Sequence, residues 1–517
     1  MKKLKLVCVA IAMACATPTL AGGLLTNTNQ HVAFDRMMSR EASIGIDGVY
    51  YNPAGVVFMS EGHHLAINWQ LAFQTRTINN DYALFTNNVN NPITPRDFKG
   101  TAFAPVIPSF QYAYNKGKWS FQASFALTGG GGKCTFDDGL GSFEKIVAET
   151  AIAACQLAGA VDQVAGAYGV PAIFSSNQCF GTEGKYSYNS YMHGRQYYYG
   201  LSAGAAYKFS DNFSAFLGVR GVYALTNYYG YVENIQVGQM PLYKVLNPAK
   251  ESSANIELSC DQSGVGFTPI IGVDYKTGRW NLSAKYEFKT RIRLKNKSVN
   301  QIPSIGNLPD NLRNAYIAKG VSETKADAIL SNPKIQGAMV ALKTQFDQKL
   351  NKAIGEYEDG KKIAGDIPAY LAIGVGYSPV DAVRVNAGFH WFDDKNATSY
   401  NNRNKELKRG TLEYNAGVEV DVNKKITLST GWQNTNYGLS DEYMDDKSFV
   451  VSSNSVAIGG VYHINKKMDL NVAYFHTFYQ HKKTTETVQL TADISRNYSS
   501  DYTRNNNVFA VGLDINF

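Results

Sequence analysis

The chain has little excess charge of either sign. Its 517 residues carry 50 Lys and Arg against 43 Asp and Glu, a formal net charge of +7. Lys2, Lys3 and Lys5 are the only charged residues among the first 21, so without that segment the balance falls to +4. So near neutrality, and with no basic run, a nucleic-acid partner has no electrostatic footprint. Long hydrophobic runs are missing too. Beyond residue 21 no segment reaches the roughly 18 consecutive apolar residues that a helical membrane span needs. Cysteine is scarce: only Cys134, Cys155, Cys179 and Cys260 lie beyond residue 21, and their spacings of 21, 24 and 81 residues fit no zinc motif. An even count in an exported chain is compatible with disulfides between outer loops, the pairing being open. Proline, at 15, is outnumbered by 33 Tyr, 26 Phe and 46 Gly, while charged residues make up only 18%. That balance suits β-strands and membrane-interface belts better than a soluble helical enzyme.

Residues 1–21 read as a secretory signal peptide. Lys2, Lys3 and Lys5 form a basic start and Leu6 to Ala16 an apolar centre, with the small residues Thr19 and Ala21 before a cut at Gly22. The apolar centre is too short to span a bilayer.

From residue 63 the chain repeats one unit: a strand, a tight turn, another strand, then a long polar excursion. In "RWNLSAKYEF" (279–288), Trp280, Leu282, Ala284, Tyr286 and Phe288 share one face, and Asn281, Ser283, Lys285 and Glu287 the other. "VRVNAGFHW" (383–391) and the closing "NVFAVGLDINF" alternate in the same way. Period two puts one side against grease and the other against water or polar groups. The opposite faces are small or singly charged, and the apolar faces end in aromatic residues. This is the pattern of a barrel with lipid outside and a polar lumen, closed so that every backbone group is satisfied. Short turns near 115–118, 210–212, 276–279, 378–382, 422–425 and 464–467 alternate with long connections near 78–100, 130–193, 229–262, 296–366, 394–410, 437–448 and 482–503. Short turns face the periplasm and long loops face outside. The expected fold is all-β: a transmembrane antiparallel β-barrel of about 14 strands. It ends on Phe517, which fits the signal read by barrel-assembly machinery. Outer-membrane lipid and lipopolysaccharide would surround it.

Two long connections have helical periodicity. Residues 141–164 place Ile146, Val147, Thr150, Ala151, Ala154, Ala158 and Val161 on one face, and residues 322–354 do likewise with Ile335, Met339, Leu342, Phe346 and Leu350. They are expected to be helical caps packed on each other, an apolar grip for a greasy molecule, or both.

Residues 22–62 precede the first strand and are too irregular to lie in lipid. They are expected to plug the lumen, with residues 63–517 forming the barrel. Within them "VYYNPAGVVFMS" (49–60) turns sharply at Asn52, Pro53, Ala54 and Gly55, where proline fixes φ and glycine frees it.

The stretch "AGGLLTNTNQHVAFDRMMSREASIGIDGVYYNPAGVVFM", between a cleaved signal and a fourteen-strand pattern, resembles the FadL family of outer-membrane transporters for long-chain fatty acids and other hydrophobic compounds. The motif match covers about forty residues; the remainder of the likeness is architectural. The resemblance implies passive uptake. Hydrophobic small molecules are caught at the outer loops, held against the N-terminal hatch at Gly22, Leu24 and Leu25, and released sideways through the wall near a kinked third strand. Here that strand would run from Lys118 to Thr128 and end in Gly129, Gly130, Gly131 and Gly132, either a weak point that forms the lateral gate or the start of a flexible loop. Arg220, Lys285, Arg291 and Arg384 alternate onto inward faces. Each would either hold a carboxylate head group or brace the lumen against Glu287, Asp274, Glu41 or Asp47.

A general diffusion porin would carry a constricting charged loop and no plug, so the hatch motif argues against it. A surface antigen or adhesin could share the long loops. A hydrolase would need a nucleophile beside an oriented base, and the lumenal His390 stands alone. No enzymatic activity is expected. No phosphate-binding loop, metal constellation or nucleotide fingerprint is present, so no cofactor or metal is expected and transport would run downhill.

Overall fold

The computed structural model describes residues 24–174, 184–303, 307–490 and 494–517. The signal segment 1–21, Gly22 and Cys179 lie outside them. Fourteen antiparallel staves make one closed ring. They are β1 (Gly62–Tyr82), β2 (Arg96–Lys116), β3 (Trp119–Phe136), β4 (Tyr186–Lys208), β5 (Phe213–Val237) and β6 (Ile256–Thr277). Two divided staves follow: β7 (Trp280–Glu287 and Arg293–Gln301) and β8 (Lys362–Ala364 and Tyr370–Val380). The rest are β9 (Val383–Phe392), β10 (Thr411–Asn423), β11 (Ile426–Asn436), β12 (Ser453–Asn465), β13 (Met468–Tyr479 and Lys482–Gln489) and β14 (Ser495–Asn516). Closure is made by β1 on β14, in register from His64 opposite Asn516 to Tyr82 opposite Tyr498.

The outer surface is apolar, with Trp69, Phe103, Leu217, Phe267, Ile458 and Phe509 all exposed. Near the short turns the outward side chains are aromatic and touch one another. Trp280 stacks on Tyr377 at 4.3 Å, Trp119 sits 4.7 Å from Tyr207, and Phe209 5.8 Å from Phe213. An apolar band with an aromatic girdle is the surface that a barrel presents to lipid and its interface. Inward positions are polar and buried, among them Asn68, Gln70, Gln122, Asn386 and Gln433.

At the other end the connections carry helices: α3 (Gly141–Ala167), α4 (Tyr243–Leu246), α5 (Leu308–Ala318), α6 (Glu323–Leu330) and α7 (Pro333–Ile354). Two short helices, α1 (Val32–Met37) and α2 (Gly48–Tyr51), belong to the N-terminal segment. Val147, Leu157 and Val161 of α3 form one buried cluster with Leu312 and Tyr316 of α5 and Ile335, Met339 and Leu342 of α7. The apolar faces of the loop helices therefore pack on each other. The second helical stretch is broken at Ser331–Asn332, since Pro333 cannot continue the preceding helix.

Several sequence expectations are corrected. Strands extend well past the bilayer, so the connection read at 78–100 shrinks to 83–95, and most of 482–503 is strand. The third strand does not stop at Thr128 but continues through the glycines to Phe136. Arg291 falls in the interruption of β7 and is exposed rather than inward. Cys134 and Cys260 carry free thiols, so the four cysteines do not form two bridges.

Candidate functional site

Residues 24–61 are almost entirely buried inside the ring. The Asn52–Gly55 turn closes on itself, the Gly55 N–H donating to Asn52 Oδ1 at 3.1 Å. A Cβ on Gly55 would meet Asn52 Nδ2 at 2.3 Å, so only glycine admits that approach. The wall satisfies the turn's carbonyls: Gln122 donates to Pro53 O and Ser214 to Ala54 O, each at 2.7 Å, and Asn115 to Val56 O at 2.8 Å. Asn52 Nδ2 in turn donates to Asp274 at 2.6 Å. The motif is a docking turn read by polar side chains from β2, β3, β5 and β6.

Ion pairs clamp the rest of the hatch. Arg36 pairs with Glu419, which also takes Arg384 at 2.7 Å, and Arg40 pairs with Asp47 at 2.7 Å. Buried His390 lies between hatch Glu41 and wall Glu413, at 2.7 and 2.8 Å. Three of the candidate head-group residues sit in this clamp. Arg220 makes a fork on Glu287 at 2.5 and 3.0 Å, and Lys285 reaches the same carboxylate at 2.9 Å and the carbonyl of Tyr50 at 2.6 Å. Arg384 forks on Asp421 as well as meeting Glu419. All three cations have acid partners and lie low in the lumen. Ser202 accepts from Arg220 at 3.1 Å. It is the serine of Gly200-Leu201-Ser202-Ala203-Gly204, a G-x-S-x-G spacing. It lies mid-strand in β4 and not on the strand-to-helix turn that an esterase nucleophile needs.

The glycine run lies at a break in the wall. β2 and β3 pair from Phe110–Phe125 down to Lys116–Trp119, and again only at Gly100–Phe136 and Thr101–Thr135. Between these, β2 carries Pro105 and Pro108, which have no N–H to donate. The register of β3 on β4 also shifts at Gly129 and Gly132. Across the inside of the break runs the hatch arm, residues 24–30. Gly130 N–H donates to Leu25 O at 3.0 Å, Asn27 N–H to Thr128 O at 3.1 Å, and Asn27 Nδ2 to Gly130 O at 2.9 Å. A Cβ on Gly129 would stand 2.8 Å from Leu25 O, and Gly130 has φ +81°, so close approach and backbone conformation both call for glycine. Gly131 lies between them within the strand.

Leu24 and Leu25 border two adjoining cavities. The larger, about 500 Å³, is walled by Leu25 with Tyr198, Leu294, Ile363 and Tyr400, an apolar cluster, and reaches Tyr443 and Met444 in the outer loops. That volume is within the range of small-molecule sites. Its rim includes Asp394, which accepts from Leu24 N–H at 3.3 Å and Thr411 N–H at 2.9 Å, and whose carboxyl burial pushes up to about 6. The smaller cavity, about 70 Å³, lies against Gly130, Gly132 and Phe136 beside the wall break, and is lined by Arg76 and Arg504. Sequence reasoning missed both arginines. They occupy inward positions of β1 and β14, but what makes them notable is their cross-strand pairing, which only barrel closure creates.

No protein-family model and no curated protein matches the chain. Solved structures do. A FadL homologue of Pseudomonas aeruginosa aligns over 96% of this chain and all of its own at 14% identity, with a TM-score of 0.61. A mutant of the monoaromatic hydrocarbon channel TodX aligns over 94% of this chain and 99% of its own at 14% identity and 0.53. The toluene transporter TodX of P. putida aligns over 92% and 94% at 13% identity and 0.50.

Proposed function

We propose that this closed fourteen-strand barrel, FadL-like in fold and belted with apolar side chains, is a multi-pass outer-membrane protein that takes up hydrophobic compounds passively, long-chain fatty acids among them. Cargo enters between the outer loops, rests in the cavity against Leu24 and Leu25, and leaves sideways between β2 and β3 when the arm shifts. One observation carries this reading: the β2–β3 ladder is open between Thr101 and Phe110, where β2 carries two prolines, and the hatch arm lies behind that opening with the small cavity beside it. Lateral release suits a greasy cargo, because it passes from the apolar cluster around Leu25, Tyr198, Leu294 and Ile363 into lipid rather than into the periplasm. The names of the similar structures, a FadL homologue and toluene and monoaromatic hydrocarbon channels, support cargo of that class. The loop helices, the docked Asn52–Gly55 turn and the Arg220, Lys285 and Arg384 clamp act as scaffold, and Gly129 to Gly132 as the gate.

Native mass spectrometry with lipid extraction on the detergent-purified protein tests this, comparing the wild type with a variant lacking residues 22–29. A co-purified apolar compound lost on truncation is the expected result. An empty wild-type barrel that conducts small ions in planar bilayers overturns it and favours a porin.

A further inference from the structure

The outer face of β3 and β4 carries two opposed cations above the apolar belt. Gly132 and Cys134 of β3 and Met192, Gly194 and Gln196 of β4 line a lumenal cavity, so strand alternation turns Lys133, His193 and Arg195 outward. Lys133 and Arg195 stand directly opposite each other in the register of the two strands. Like charges so placed repel, and neither makes an ion pair or hydrogen bond among the described residues. Asp261, in the same row two strands along, accepts instead from Asn227 Nδ2 at 2.9 Å. Arg195 lies twelve residues along β4 from Tyr207, part of the aromatic girdle near the short turns. At a rise of about 3.3 Å per residue and a tilt of about 40°, that is a height of about 30 Å, just beyond an apolar band of about 25 Å. The pair therefore sits at the level of the outer-leaflet head groups. Towards the loops, the ring of His193 lies 5.6 Å from that of Tyr229, and Tyr191 stacks on Tyr231 at 5.8 Å. Towards the periplasm the wall is apolar: Phe125 stacks on Tyr199 at 6.3 Å, and Leu201 is 64% exposed. Aromatic rings belong at any membrane interface; the opposed cations single this sector out. The outer ends of β1 and β2, by contrast, expose Asp81 and Asp97, with Lys99 3.5 Å from Asp97.

We propose that Lys133 and Arg195 bind a phosphate group of a phosphorylated glycolipid of the outer leaflet, held against the outside of the wall beside the β2–β3 break. One phosphate joins the two cations, the guanidinium taking two of its oxygens in parallel and the ammonium meeting it as a point charge. The sugars lie against His193, Tyr229, Tyr191 and Tyr231, and the acyl chains run down over Phe125, Tyr199 and Leu201. The rings continue for two rows above the cations, a height that a saccharide reaches and a glycerophosphate head group does not. The site lies outside the lumen and needs only the outer-membrane placement of the barrel, so it stands apart from the uptake of cargo.

The test titrates the delipidated full chain in detergent with three probes, read by native mass spectrometry: hexa-acylated lipid A with both phosphates, the same lipid with its phosphates removed, and phosphatidylglycerol. The wild type should bind the diphosphorylated lipid about thirtyfold more tightly than the dephosphorylated one, about fivefold for each cation near the head-group level. Phosphatidylglycerol should bind more weakly than diphosphorylated lipid A. In K133Q/R195Q the thirtyfold ratio should fall toward one, while K99Q/K483Q, which removes two outer cations from other staves, should keep it. A wild-type ratio near one overturns the proposal, as does a ratio that survives K133Q/R195Q or falls equally in K99Q/K483Q. Phosphatidylglycerol bound as tightly as diphosphorylated lipid A overturns the glycolipid assignment. The wild-type ratio needs no variant, so a misfolded mutant does not blunt the test.

Discussion

The lower and upper halves of one lumen treat charge in opposite ways. Around the hatch, Glu287 serves Arg220 and Lys285 together, Glu419 serves Arg36 and Arg384, and the Asn52–Gly55 carbonyls are met by wall side chains. Beside the β2–β3 break the ladder is open, prolines replace donors, and Arg76 faces Arg504 with no carboxylate. The first region gives each of these cations an acid partner. The second leaves its arginine pair without one, beside an open ladder. A buried polar network stabilises only when its members are satisfied, so the contrast separates scaffold from site.

Making the balanced region resemble the other should have the largest effect. Glu287→Gln leaves two buried cations without their counter-charge and should cost about 3–5 kcal/mol, read as a lower urea midpoint in detergent. An unchanged midpoint would mean that the hatch clamp carries no stability. Next comes pH. Burial raises the carboxyl of Asp394 to about 6. An acid raised in the folded state contributes stability present in full below its ordinary range and lost as pH climbs through the raised value. Between pH 4 and pH 7 that amounts to about 2 kcal/mol, and Asp394→Asn should flatten the fall. An identical pH profile in the variant would place the titration elsewhere.

Gly129→Val drives a side chain against Leu25 O and should displace the arm at about 1–3 kcal/mol, seen as faster hydrogen exchange over residues 24–30. Arm protection equal to the wild type would show that the arm does not rest on β3. The smallest effect sharpens the contrast from the other side. Pro105→Thr with Pro108→Val returns two ladder donors, and should raise stability by about 1 kcal/mol each while slowing uptake of hexadecanoic acid. Faster uptake would mean that the break is not the exit.

Much of the barrel was readable in advance. Period-two alternation at 279–288 and 383–391 predicted which residues face lipid, and Trp280, Leu282 and Val385 are exposed while Lys285, Asn386 and His390 are buried. The turn at Asn52 was legible because proline and glycine act locally. Strand ends were not, since β1, β5 and β14 continue outside the bilayer, where alternation no longer needs an apolar face. The glycine run was read as a weak point or a loop start, and its continuation to Phe136 depends on pairing with β4. The cations were sorted onto faces correctly for Arg220, Lys285 and Arg384, but their partners come from distant segments.

By itself the sequence determined the membrane-barrel class, the alternation of short and long connections, and the docking turn. Each follows from local chemistry: side-chain period, turn conformation and apolar length. Tertiary structure decided that Arg220 and Lys285 brace Glu287 while Arg76 meets Arg504, that the arm lies behind the β2–β3 break, and that the loop helices bury their faces in one another. Those outcomes depend on register and on ring closure, which joins residues more than 400 positions apart. No local pattern carries that information, because each strand is compatible with many partners until the last one closes on the first.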